Sequence, residues 1–223
     1  FNLLSKLLQL SFLPPQNKQQ TTINHMGIYE KIQETAAFIS GSVHTRAKVG
    51  IILGSGLSGL TNDIEKEAAL KYADIPHFPV STVQGHGGEM IFGKMACKDV
   101  ILMSGRFHYY EGYDMQAVTF PVRVMKALGV EILIVSNAAG GMNKNFVIGD
   151  LMLINDHINQ FPEHPLRGPN DERLGTRFPD MGQPYDKELA AIGKVVAAEN
   201  GIAIQEGVYI GLQGPTFETP AEH

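Results

Sequence analysis

The stretch VGIILGSGLSGL, Val49–Leu60, decides the fold. Its glycines Gly54, Gly56 and Gly59 satisfy the G-x-G-x-x-G pattern, an apolar run precedes them, and Leu57, Leu60 and Ile64 follow at helical spacing. The pattern reads as a buried strand, a tight turn and the start of a helix. Unpaired backbone N–H groups and a helix dipole converge at such a turn and make it an anion site. Which anion it serves is a separate question.

A dinucleotide site expects a β-branched second strand and an acidic residue about 20 positions past the glycines, placed to bind a ribose hydroxyl. Asp74 stands at that distance, but the preceding EAALKYA has no β-branched residue and IPHFP follows at once. Ser55 points elsewhere. A hydroxyl between two glycines, beside exposed backbone N–H groups, suits a single phosphate. The plainer alternative is a strand-to-helix turn that binds nothing.

The 223 residues suffice for one large α/β domain or two small ones. Hydrophobic content of 43% and charged content of 18% are those of a globular chain. A formal charge of −5 argues against general nucleic-acid binding, which needs a net basic surface. Cys97 is the single cysteine, so no internal disulfide forms and a reducing, cytoplasmic setting is expected. No apolar run approaches the roughly 18 residues of a membrane span. Among the eight histidines there is no H-E-x-x-H spacing, and one cysteine does not build a zinc site, so no metal is expected.

Residues 1–25 differ in character from the rest: an apolar segment broken by Lys6 and Gln9, then Pro14-Pro15 and a polar tract. They lack the basic region and small-residue cleavage site of a targeting peptide. They read as an extension, disordered or mis-assigned, and the domain is expected over 26–223. Within it, MGIYEKIQETAAFISG is helical. AKVGIILGSG is a buried parallel strand, and MIFGKMACKDVILMSG holds two strands about a Lys98-Asp99 turn. MQAVTFPVRVMKALG places Val118, Val122, Met125 and Leu128 on one helical face, with Gly129 as its stop. VEILIVSNAAGG, DLMLINDHI and AIQEGVYIGLQGP are further strands. KELAAIGKVVAAENG is a helix with Leu189, Ile192 and Val196 inward. FPEHPLRGPNDERLGTRFPDMGQP has no periodicity and is expected to be a functional or disordered loop. Alternating strands and helices predict an α/β fold, a central mixed, largely parallel sheet with helices on both faces and ligand sites at strand C-terminal ends.

Three further segments carry chemistry. SGRFHYYEGY follows the apolar run VILM, so Arg106 and His108 stand at a strand end, two residues apart. Arg and His together donate several charge-assisted hydrogen bonds to one anion. SNAAGG ends the next strand, where the N–H groups of Ala138 and Ala139 turn into the same crevice. STVQGHGGE sets His86 among glycines, as either a loop histidine or a site residue.

Taken in order, GSGLSGL, GHGGE, GRFHYYEGY, TFPVRV, SNAAGG, DHIN, PLRGPNDERLGTRFPDM and GPTFETPAE resemble the trimeric purine nucleoside phosphorylases, from about Met26 to the C-terminus. The resemblance implies reversible phosphorolysis of inosine or guanosine to base and ribose 1-phosphate. It implies no cofactor beyond the co-substrate phosphate, and a homotrimer that meets neither nucleic acid nor membrane. It assigns phosphate to Ser55, His86, Arg106, His108 and the backbone of Ala138. Tyr110 matches the tyrosine at the ribose, and Tyr209 one at the sugar–base side. Phe217 matches the aromatic packed on the purine, and Glu218 the carboxylate that accepts its N–H hydrogens. Phe178 matches a phenylalanine that covers the ribose in the neighbouring subunit. His86, Arg106, His108 and Glu218 are the expected catalytic group.

The family continues beyond TPAEH with a second phosphate serine and an asparagine at the purine. The chain is therefore expected to be an incomplete member that folds poorly and shows little or no activity. The rival readings are a non-catalytic remnant that binds phosphate or full-length subunits, and a methylthioadenosine phosphorylase-like enzyme. GRFHYYEGY and SNAAGG match the purine nucleoside branch better.

Overall fold

The computed structural model describes residues 26–54, 56–80 and 88–222. Helix α1 (Ile28–Ser42) leads into strand β1 (Val49–Ile52), which is the hub of a five-stranded sheet. Around it lie β2 (Glu65–Lys71), β3 (Glu89–Met95), β4 (Lys98–Ser104) and β5 (Ile132–Val135), in the order β2-β3-β4-β1-β5. β1 runs parallel to both β4 and β5, with Val49 level with Val100 on one side and Ile132 on the other. The β2–β3 and β3–β4 pairs are antiparallel. The sheet is thus mixed, as expected, but with two parallel and two antiparallel pairings it is not largely parallel, because β2, β3 and β4 follow one another as an antiparallel meander. Helix α2 (Met115–Ala127) connects β4 to β5, and β6 (Leu151–Asn159) pairs in parallel with β7 (Ile204–Gly211) across helix α3 (Lys187–Glu199).

Strand alternation sorts β3 and β4 into two clusters, since successive side chains point to opposite faces. Met90, Phe92, Ile101 and Met103 join Ile32 and Ile39 of α1 and Phe120, Val124 and Met125 of α2. Ile91, Val100 and Leu102 form a smaller cluster with Leu53 and Ile64. Beneath the C-terminal end of β4 lies a set of aromatic rings, Tyr72, Phe78, Phe107 and Phe120, in tilted and edge-to-face contacts with centroids 5.0–6.3 Å apart.

Four local expectations are corrected. After the glycines no α-helix begins: Ser58–Asp63 is a short 3-10 turn that feeds β2, so Leu57 and Leu60 are exposed and no long helix dipole points at the loop. Helical spacing over so few residues did not distinguish a turn from a helix. The β3–β4 turn centres on Ala96 and Cys97, not Lys98-Asp99, and both residues have positive φ (48° and 61°). That is the handedness a two-residue hairpin needs to match strand twist. On α2 the buried stripe is Phe120, Pro121, Val124 and Met125, while Val122 is exposed. On α3, Leu189, Ile192 and Val196 are exposed and only Ala197 is buried, because among the described residues no element packs over that face. Periodicity identifies an apolar face without saying what meets it.

Candidate active site

The site is built where β1, β4 and β5 end side by side, and Ser136 stitches the three ends together. Its N–H and its hydroxyl both donate to the Ile52 carbonyl (3.1 and 3.3 Å), closing β5 onto β1. The hydroxyl accepts from the Gly54 N–H at 3.1 Å. Gly54 tolerates this approach because it has no side chain: a Cβ there would stand 2.6 Å from the Ser136 carbonyl oxygen. That carbonyl in turn accepts from Arg106 Nη1 at 2.8 Å, which brings in β4.

Arg106 is aimed by what precedes it. The chain leaves β4 through Gly105 at φ 96°, a left-handed conformation that glycine adopts without strain. The buried Tyr72 hydroxyl donates to the Gly105 carbonyl at 2.8 Å and anchors that turn. Burial, with a smaller push from Glu89, holds the Tyr72 phenol well above the usual range, so it stays a neutral donor. Arg106 is itself partly buried. Desolvation lowers its pKa, opposed by the nearby phenols of Tyr209 and then Tyr110.

His108 stands beside it. Arg106 Nε donates to His108 Nε2 at 3.4 Å, while His108 Nδ1 lies 2.9 Å from Glu111 Oε1. One tautomer, with the proton on Nδ1, satisfies both contacts. The Glu111 side chain is 2% exposed and also accepts from the His108 backbone N–H at 2.8 Å. A buried carboxylate therefore fixes the imidazole orientation. The ring of Tyr110 stacks on that of His108, with centroids 4.8 Å apart and planes at 17°. A Cβ at Gly214 would lie 3.5 Å from Tyr110 Cδ1, so the GPTFET segment starts against this ring.

The structure thus gathers Arg106, His108, Tyr110 and Tyr209 into one neighbourhood. Ala138 follows Ser136 on the β5 loop, and among the described residues no group accepts its N–H. Ser55 and His86 lie outside the described residues. Phe217 is 93% and Phe178 85% exposed, and Glu218 is exposed as well, so these three are not drawn into contact with the others. Sequence reading missed Ser136, Tyr72 and Glu111. The signal for Glu111 was present in its spacing of three from His108; Ser136 and Tyr72 act only through contacts remote in sequence.

The loop between β6 and α3 is held in place. Arg173 pairs with Asp171 (2.6 Å) and Glu30 (2.8 Å) and lies 3.9 Å over the Tyr29 ring, pinning the loop to α1. Arg177 donates to the carbonyls of Leu166 and Gly168. A cavity of about 380 Å³ between this loop, α1 and α2 is lined by Ile28, Arg123, Leu166, Arg167 and Leu174, and none of the expected site residues borders it. Among the described residues no helix is long and apolar enough to cross a membrane.

The phosphorylase superfamily model matches residues 48–223. Purine nucleoside phosphorylase 1 of Bacillus subtilis is 55% identical over 193 residues, covering 86% of this chain and 71% of the relative. The bovine (Bos taurus) purine nucleoside phosphorylase is 48% identical over 200 residues, covering 87% and 69%. Among solved structures, Schistosoma purine nucleoside phosphorylase in complex with hypoxanthine superimposes with a TM-score of 0.81 at 41% identity, covering 86% of this chain and 70% of that one. The chain belongs to the phosphorylase superfamily, among its purine nucleoside phosphorylases.

Proposed function

We propose that this chain catalyses the reversible phosphorolysis of 6-oxopurine nucleosides, inosine and guanosine, to free base and ribose 1-phosphate. One observation carries the reading: Arg106 and His108 stand side by side at the end of β4, locked by Ser136 and Glu111, in a chain of the purine nucleoside phosphorylase family. A partly buried guanidinium beside an imidazole is a seat for a compact anion. Ser55, His86 and the Ala138 N–H complete that seat in this reading.

The reaction breaks the bond from the sugar C1′ to the base nitrogen and forms one from C1′ to a phosphate oxygen. The bonding electron pair leaves with the base, which takes up a proton. Positive charge builds on the sugar as the bond lengthens, so a phosphate held in line both stabilises and attacks it. Tyr110 and Tyr209 face the sugar, Phe217 packs on the purine, and Glu218 accepts its N–H hydrogens. Phe178, thrust outward by the pinned loop, covers the ribose of a neighbouring subunit in a homotrimer. The chemistry calls on no metal or organic cofactor, and its setting is cytoplasmic purine salvage.

The test is incubation of the protein with inosine and phosphate, following hypoxanthine and ribose 1-phosphate together. Equal amounts of both products, dependent on phosphate, support the reading. Cleavage without phosphate, or no cleavage of any purine nucleoside, overturns it.

A further inference from the structure

The long loop is tied to the β6–β7 pair at both ends: at its start the Gln160 and Phe161 N–H groups donate to the Gly211 carbonyl and to Asn159 Oδ1, and at its end a side-chain contact joins it to β6. Tyr185 closes that loop, one residue before Asp186, whose carboxylate caps α3 by accepting from the N–H groups of Glu188 and Leu189. The Tyr185 hydroxyl lies 3.1 Å from Nδ1 of His157, and the two rings meet edge to face at 5.8 Å and 85°. His157 sits in β6 level with Tyr209 of β7. Residues paired across neighbouring strands present their side chains on the same face.

Burial follows the same division. His157, Tyr185 and Tyr209 are each half-buried, whereas Asp156, Ile158, Val208 and Ile210 beside them on the strands are exposed. Along β7, a Cβ at Gly211 would stand 2.9 Å from Phe161 and 3.8 Å from the Tyr209 ring, and Phe161 packs edge-on against Tyr109. Tyr209 thus has His157 as its register partner on β6 and Gly211 two residues along β7 on the same face. Its phenol bears on two charged or polar neighbours, the Arg106 guanidinium and the Tyr185 phenol. Burial, then Asp156 and Tyr209, raise the Tyr185 pKa, so its hydroxyl remains a proton-bearing partner for His157.

We infer that Tyr185 and His157 form a positioning pair that fixes Tyr209 against the nucleoside, coupling the conformation of the long loop to nucleoside binding. The inference rests on the phosphorolysis reading for the identity of the ligand, but the placement of Tyr209 does not. Neither Tyr185 nor His157 touches reacting atoms; they act through Tyr209. The hydrogen bond restrains His157, and His157 restrains the ring beside it. Loss of the bond costs binding of the nucleoside rather than of phosphate, whose seat lies on β1, β4 and β5.

The experiment uses the full chain with Tyr185→Phe, His157→Phe and His157→Gln, the last retaining an amide able to hydrogen-bond Tyr185. Tyr185→Phe and His157→Phe are expected to raise the inosine KM about three- to tenfold, the range of one lost hydrogen bond, with the phosphate KM within about twofold of the parent. The double variant adds little to either single change, and His157→Gln restores most of the loss. A second readout needs no turnover: with ring-labelled tyrosine, the Tyr209 resonance, assigned through Tyr209→Phe, shifts in Tyr185→Phe and returns towards the parent position in His157→Gln. A parent protein that cleaves no purine nucleoside overturns the phosphorolysis reading alone, and the Tyr209 resonance then decides the inference. A Tyr209 resonance unmoved by Tyr185→Phe overturns the inference, as does an equal rise in both KM values.

Discussion

Gly54 and Ser136, 82 residues apart in sequence, meet so closely that the Gly54 N–H donates to the Ser136 hydroxyl over 3.1 Å. The same serine takes the β1 carbonyl of Ile52 and, through its own carbonyl, the guanidinium of Arg106. One small residue at the end of β5 thus sets the spacing of three strand ends. The phosphate seat proposed here is a product of that spacing, because its donors come from three separate segments.

Gly54→Ala is expected to destabilise the fold by about 1–3 kcal/mol, the usual cost of forcing extra volume against packed backbone. The obstacle is the Ser136 carbonyl and the Asn137 Cα, which have no side-chain freedom to retreat. Ser136→Ala removes hydrogen bonds without a clash and is expected to cost about 0.5–1.5 kcal/mol. Urea unfolding midpoints check both, and Ser136→Ala exceeding Gly54→Ala would refute the close-approach argument.

Arg106→Ala should weaken phosphate binding by about 1.5–3 kcal/mol, the range for a hydrogen bond to a charged group. Arg106→Lys should recover only part of this, since an ammonium does not reach Ser136 and the anion with the same fork of donors. Calorimetric titration with phosphate measures the loss. Unchanged affinity in Arg106→Ala would remove it from the anion seat.

Glu218→Ala is expected to nearly abolish turnover of inosine and guanosine while phosphate affinity stays as it was. Glu218 is exposed and lies well along the chain from the Arg106 cluster, which makes the separation of effects a sharp test. Near-normal turnover of 6-oxopurine nucleosides in the variant would leave Glu218 as a solvated turn residue.

The anchor of the long loop should be pH-dependent. Hydrogen bonds from Arg173 hold the Asp171 and Glu30 carboxyls below their usual range. A carboxylate depressed in the folded state contributes stability above its unfolded pKa and loses it as pH falls through the folded value. Thermal midpoints of the parent and Arg173→Ala should therefore differ at neutral pH and converge in acid. Because the cluster is solvent-exposed, added salt should narrow the gap as well. A gap that widens in acid would contradict the pairing.

Strand positions were legible in sequence because parallel strands such as β1 (VGII) and β5 (ILIV) are short apolar runs closed by turn residues, but burial was not, since Leu133, Ile134 and Val135 of β5 are exposed. Arg106, His108 and the β5 loop were legible for a related reason: polar residues directly after a strand stand at its end. Tertiary structure decided the rest. The glycine loop opens into a 3-10 turn instead of a helix, and the α2 stripe is shifted by the rings it packs against. Ser136 exerts its effect through partners 30 to 84 residues distant, and Tyr72 through one 33 residues distant. Periodicity and local spacing register what a residue does to its neighbours within a turn or a strand. A hydrogen bond or a close approach between remote segments exists only once the chain has closed on itself, and at this site those contacts set the geometry.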